Sequence, residues 1–347
     1  MTRVYLDYNA TAPLSAAARE AMIAAMDVVG NPSSVHAEGR AAKALIERAR
    51  GQVAEAFGAS GADVIFTSSA TEAAALACAG QDWDGSAVEH EAVAAWVAEA
   101  LPVDAQGKAQ VSAPDRSVLQ LANSETGVVQ ALPPDLALSD MTQAFGKMPV
   151  AFAWSGATRA LISAHKLGGP KGVGALVVRQ GVDVAARIKG GGQEMGRRSG
   201  TENVIGIAGF GAAAEFAQGE IENGVWDRVA ELRNILEKAI EAEAKNTIFV
   251  GKDSVRLPNT SCFATPGWKG ETQVMQMDLA GFAISAGSAC SSGKVRASRV
   301  LKAMGFEDRV AASAVRVSLG PDTREEDVLR FAEAWLAAEK RFRARAA

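Results

Sequence analysis

Along the first two thirds of this 347-residue chain, short β-branched or apolar runs alternate with Ala/Glu/Arg-rich stretches of helical spacing, and that alternation restricts the fold more than any other feature. Val64–Thr67, Val118–Leu121 and Gly174–Val178 read as strands, and Ala41–Phe57 reads as a helix. Strands that alternate with helices form a mostly parallel sheet, because each parallel connection must cross over a face of the sheet and cover it. From about Asn223 the character changes. A long charged helix over Trp226–Ala244 is followed by apolar runs at Thr247–Val250 and Leu257–Phe263 and a final helix over Glu325–Ala344, which predicts a second, α+β domain.

Composition removes several function classes. The 36 basic residues against 40 acidic ones give no excess positive charge for nucleic acid. No stretch reaches the roughly 18 uninterrupted apolar residues of a membrane span, and the N-terminus lacks the succession of a signal peptide. Three cysteines, Cys78, Cys262 and Cys290, are too few for a disulfide framework. Together these features predict a cytoplasmic protein whose partners are small molecules or other proteins. His36, His90 and His165 stand at no metal-ligand spacing, so no metal site is expected.

Glycines gather at 168–174, 190–200 and 287–293, either as tight turns or as places where backbone must approach a ligand. Ionisable residues stand among them. Lys166, in LISAHKLGGPKGVG, is the best candidate for a functional amine able to form a Schiff base with a pyridoxal cofactor. Asp140, in SDMTQAFGK, can hold a pyridine nitrogen protonated, with Gln143 beside it; an N-cap and a surface amide are the plainer reading of that pair. The segment VIFTSSATEAAALA reads as strand, turn and a helix starting near Thr71. That helix start, with the Ser69 and Thr71 hydroxyls, can cradle a phosphate; a capping box, Ser69-x-x-Glu72, explains the same residues. His90 can stack on a ring, act in acid/base chemistry or serve structure. Cys290, in ISAGSACSSGK with Lys294 and Arg296 following, is the candidate thiolate nucleophile, whereas Cys78 and Cys262 sit in apolar surroundings as inert small hydrophobes. Arg316, in AVRVSLG, needs a carboxylate partner: that of a substrate, or Asp322 or Glu325.

Taken in order, YLDYNATAP, GNPSSVHAEGR, FTSSATEA, EHEAV, ANSETGVVQ, SAHKLGGPKGVGAL, GGGQEMGRRSGTEN, LPNTS, SAGSACSSG and VRVSLG resemble the cysteine desulfurases of the NifS/IscS type, in the class V aminotransferase family. The resemblance implies an α/β fold-type I pyridoxal 5'-phosphate (PLP) enzyme. Its large domain would span residues 11–222, and a small domain made of 1–10 and 223–347 would carry the cysteine loop. It implies that Lys166 carries the cofactor, Asp140 faces its pyridine nitrogen, Gln143 its phenolic oxygen and His90 its ring. Asn123 and Ser124 would also contact the cofactor. Ala70, Thr71, Ser163 and His165 would bind the phosphate, with Thr201 from the other subunit of a homodimer. Arg316 and Asn31 would bind the substrate, L-cysteine. Cys290 would take its sulfur as a persulfide and release alanine, then pass the sulfur to an acceptor protein, an iron–sulfur scaffold or a sulfur carrier. A selenocysteine lyase, another class V enzyme or a catalytically weakened regulatory homologue is the alternative. Ser124 stands where the family has Asn and Ser69 where it has Gly, and residues 73–89 and 126–139 are shorter than the family's corresponding stretches.

Overall fold

The structure, a computed structural model, describes residues 3–287 and 297–346. Its central sheet places Ala62–Thr67, Gly174–Arg179, Arg159–Ser163 and Ser139–Asp140 side by side in that order. Isolated bridges from Val118 to Leu138 and from Ser117 to Asp84 extend it to the parallel pair Asp84–Ser86 and Ala98–Leu101. Among the described strands of this sheet only Gly174–Arg179 runs against its neighbours. The sheet is therefore mostly parallel, as the β/α alternation predicts. Val118–Leu121 joins it through a bridge rather than as a continuous strand, with Leu119 N–H donating to the Leu138 carbonyl at 3.1 Å and Leu121 N–H to that of Asp140 at 2.8 Å.

The helix predicted over Ala41–Phe57 extends from Ala37 to Ala56, begun by His36, whose ring nitrogen accepts the Gly39 N–H. It buries Ala42, Ile46, Ala49, Val53 and Ala56, one stripe at helical spacing. Its partner is the helix Val204–Glu222, whose mean composition is apolar and glycine-rich. A methyl group at Gly211 would lie 2.7 Å from the Ala49 Cα, so glycine is what lets these two backbones meet.

A second apolar core gathers Leu6, Trp226, Leu236, Phe263, Phe331 and Trp335. It lies on an antiparallel sheet ordered Ser285–Ala286, Ala314–Ser318, Thr260–Ala264, Ile248–Phe249, against the helices Val225–Glu243 and Glu325–Ala346. Residues 4–8 belong to this layer: Val4–Tyr5 pairs with Phe282–Ala283, and Tyr8 N–H donates to the Ser318 carbonyl. The chain then crosses over, and Ala12 N–H donates to the His165 carbonyl at 2.8 Å. Residues 5–12 thus join the two sheets at the place where the parallel strands of the first one end, which is where open α/β sheets bind ligands.

Candidate active site

A cavity of about 320 Å³ opens at the C-terminal ends of the strands Ala62–Thr67, Ser139–Asp140 and Arg159–Ser163. Each strand delivers chemistry in the turn that follows it. After Ser163 the chain makes a tight turn, Ala164–Lys166, which places Lys166 in the cavity with its Nζ donating to the carbonyls of Asn9 at 2.8 Å and Ala10 at 2.9 Å. Ser163 and His165 line the same space. His165 Nδ1 meets Thr11 Oγ1 at 3.2 Å; burial first, and then the positive charges of Lys166, Lys171 and Lys147, push its pKa down to about 4, so the ring is neutral at neutral pH.

Asp140 and Gln143 form the second group. Both are buried and both line the cavity, so the plainer reading of a surface amide fails for Gln143. Asp140 Oδ1 accepts the Thr142 N–H at 2.9 Å, which fixes the carboxylate in its turn. Gln143 Nε2 donates to the Asn9 carbonyl at 3.0 Å and its Oε1 accepts from Lys147 Nζ at 2.7 Å.

The helix expected near Thr71 runs from Ala70 to Cys78. Ser69 occupies two first-turn amides, accepting the Glu72 N–H on Oγ at 3.2 Å and the Ala73 N–H on its carbonyl at 3.1 Å. Ala70 and Thr71, at the start of that helix, line the cavity. The capping box forms one residue out of register, because Glu72 reaches back to the Ser68 N–H at 2.8 Å. Arg198 pairs with Glu72 at 2.8 Å and, with the bonds from Ser68, outweighs burial and lowers the Glu72 pKa. Gly174 explains one glycine of the cluster: a methyl there would lie 2.6 Å from the Ser69 carbonyl carbon, so the strand could not pass the helix start.

His90 lines the cavity and caps the short helix Glu91–Ala94, its Nδ1 accepting the Ala92 N–H at 3.1 Å. His90 thus serves as a cap while it lines the cavity. Arg316 enters from the second sheet. Its expected protein partner was Asp322 or Glu325, but the guanidinium pairs with Asp7 at 2.7 Å and donates to the Ser124 carbonyl at 3.0 Å. Asp7 reaches it because the N-terminal strand belongs to the Arg316 layer. Arg316 Nε is buried with no hydrogen-bond partner among the described residues.

Three expected site residues lie elsewhere. Asn123 is buried and does not line the cavity; its amide donates to the Val88 carbonyl and accepts from Thr126, holding its own turn. Ser124 does line it. Asn31 is outside it, accepting the Ser33 N–H at 2.9 Å. Thr201 borders a different, smaller depression beside Ser68 and Arg198. Cys290 lies outside the described residues. Cys78 and Cys262 are buried and burial pushes both thiols up to about 12, which suits inert core residues. Sequence reading missed Asn9, Thr142 and Lys147. Asn9 sits within YLDYNATAP, and Lys147 stands one helical turn beyond Gln143, a spacing that signals contact.

The donor set suits a phosphate-bearing aldehyde of a pyridine. One amine, one buried carboxylate, one amide and a helix start with hydroxyls converge, and the Thr142 hydroxyl on the wall is buried without a partner among the described residues. An α/β fold with this arrangement at its strand ends is that of the fold-type I PLP enzymes. The comparisons then narrow the class. A family model described as Aminotransferase class-V matches residues 4–100 and 119–331, and the chain belongs to that family. It is 38% identical to a cysteine desulfurase of Cereibacter sphaeroides over 370 residues, covering 96% of this chain and 95% of the relative. It is 36% identical to the cysteine desulfurase IscS of Dictyoglomus turgidum, covering 94% and 91%. The solved NifS-like protein of Rickettsia africae superposes with a TM-score of 0.87 at 31% identity, covering 97% of this chain and 99% of that one.

Proposed function

We propose that this chain is a PLP-dependent cysteine desulfurase of the NifS/IscS type, converting L-cysteine to L-alanine with the sulfur left on Cys290. The observation that carries the reading is the convergence of Lys166, Asp140, Gln143 and the helix start at Ala70 in one cavity that Arg316 also lines. Lys166 would hold the aldehyde carbon, Asp140 the pyridine nitrogen, Gln143 the phenolic oxygen and His90 the ring face. Ala70, Thr71, Ser163 and His165 would hold the phosphate. Ser124 stands by as a lining hydroxyl. Bound there, the cofactor supplies an electron sink for negative charge at the substrate Cα.

The chain's own groups do the rest. Arg316, one of whose nitrogens has no partner among the described residues, grips the substrate carboxylate. Lys166, held by two backbone carbonyls, is placed to move the Cα proton. The Cys290 thiolate attacks the substrate sulfur: the new S–S bond forms as the Cβ–S bond breaks, that electron pair stays on carbon, and Cβ takes up a proton to give alanine. A persulfide on Cys290 is then passed to an acceptor protein, an iron–sulfur scaffold or a sulfur carrier. A homodimer is supported by the place of Thr201, outside its own chain's cavity. The two cores support domains of 11–222 and of 1–10 with 223–347, and the composition supports a cytoplasmic site of action. Among the described residues no helix is long and apolar enough to cross a membrane.

The visible spectrum of the purified protein tests the cofactor assignment. A yellow protein that loses its absorbance in Lys166→Ala is expected; a colourless protein with Lys166 intact, even after incubation with PLP, overturns it.

A further inference from the structure

Lys147 is among the largest side chains that are fully buried, with 1% of its surface exposed. Burying an ammonium is costly unless a charge partner compensates, yet among the described residues no carboxylate pairs with it. Burial, with Lys166 and Arg316 acting in the same direction, holds its pKa well below the usual lysine value. What the amine does contact is two amide oxygens, Gln143 Oε1 at 2.7 Å and Asn9 Oδ1 at 3.1 Å.

Those contacts decide which way two amides face. With Oε1 taken by Lys147, Gln143 Nε2 donates to the Asn9 carbonyl at 3.0 Å. A flipped amide would give up the Lys147 Nζ–Oε1 hydrogen bond and set Oε1 against the Asn9 carbonyl oxygen. The amide nitrogen carries two hydrogens, only one of which goes to Asn9, and Gln143 lines the cavity. The second N–H is therefore the group Gln143 presents there. Asn9 is locked in the same way: its Oδ1 also accepts from Asn259 at 3.0 Å, its Nδ2 donates to Thr260 at 2.8 Å, and its backbone carbonyl receives Lys166.

We propose that Lys147 is a positioning residue that keeps the Gln143 side-chain amide turned with an N–H into the cavity, as a fixed donor to an anionic ring oxygen of the bound cofactor. This rests on the cofactor reading above. Lys147 does not line the cavity; it acts through Gln143.

The test is a double-mutant cycle read as the affinity of PLP for cofactor-stripped protein, by quenching of tryptophan fluorescence. Lys147→Met is expected to weaken binding about tenfold, as loss of one charge-assisted hydrogen bond does. In a Gln143→Leu background the same change is expected to weaken it less than twofold. Lys147→Gln, whose own amide can donate to Gln143 Oε1, is expected to recover binding to within about threefold of wild type. An equal loss in both backgrounds, or no loss in either, overturns the proposal. Should Lys147→Met fail to fold, Gln143→Glu decides: it keeps an acceptor for Lys147 but removes the donor, and undiminished PLP affinity overturns the proposal. If stripped wild-type protein takes up no PLP at all, the cofactor reading falls instead.

Discussion

Replacing Asp7 by Asn separates the two things Arg316 does. The guanidinium is buried and pairs with Asp7 at 2.7 Å, its one carboxylate partner among the described residues, while the second Asp7 oxygen accepts the Ser285 hydroxyl at 2.8 Å. Asparagine can keep the serine contact and loses the charge. Removing one partner of a buried ion pair costs about 3–5 kcal/mol, because the other charge is left uncompensated. At roughly 2.1 cal/mol/K of unfolding entropy per residue, about 3 kcal/mol in a chain of this length lowers the melting temperature by about 4 °C. A bound carboxylate can restore the missing charge. L-Alanine, the proposed product, carries that carboxylate and no sulfur to react. Thermal melts of the PLP-loaded protein with and without saturating L-alanine should therefore show a larger stabilisation in Asp7→Asn than in wild type, and none in Arg316→Met. An Asp7→Asn protein that melts like wild type, or that has lost its response to L-alanine, would show that Asp7 does not hold the charge of Arg316.

Two further outcomes follow from buried charges. Burial, with Asp140 adding to it, raises the Glu89 carboxyl to about 8 against the bonds from Gln120 and Ser86. The folded state thus holds a proton that the unfolded chain releases near its ordinary value, so the contribution of Glu89 to stability is full below about pH 4.5 and declines by up to about 1.4 kcal/mol per pH unit as pH rises toward 8. Urea titrations at pH 5 and 8 should show Glu89→Gln losing less stability over that range than wild type, and equal losses would contradict the assignment. Arg50 pairs with buried Glu194 at 2.7 and 3.0 Å, and Glu194 and Met195 hold backbone φ values of 47° and 58°, which cost about 1–3 kcal/mol each unless packing enforces them. Arg50→Met should lower stability by about 3 kcal/mol, whereas Glu194→Gln, which keeps an acceptor for the Phe66 N–H, should lose about half as much. Equal melting temperatures for the two variants would contradict that clamp.

The large sheet and the turns after its strands were legible because their signals are local. A β-branched run followed by Ser/Thr and an alanine-rich stretch specifies strand, turn and helix, as at Ala62–Cys78, while Asp140 ends a short strand and Lys166 lies in the turn after another. What escaped depends on contacts between distant segments. Asp7 meets Arg316 across 309 positions because Val4–Tyr5 pairs with Phe282–Ala283, and two short apolar residues carry no sign of that partner. Asn9 became a hub for the same reason: its neighbours Gln143, Lys147, Lys166, Asn259 and Ser318 come from both sheets. Asn123 was hard to place for the opposite reason. An asparagine beside Ser124 and Glu125 invites a ligand role, but it also satisfies its own turn, and in the folded chain the local bonds take it.

The proposed reaction moves sulfur from L-cysteine onto Cys290 in a site organised by Lys166. Its most direct test is the release of alanine and sulfide from L-cysteine in the presence of dithiothreitol, measured on wild type and on Cys290→Ala at matched PLP content. Alanine and sulfide in equal amounts from wild type, with both lost in Cys290→Ala while the yellow absorbance persists, is the predicted result. Release of both products undiminished in Cys290→Ala, or of neither by fully loaded wild type, would contradict it.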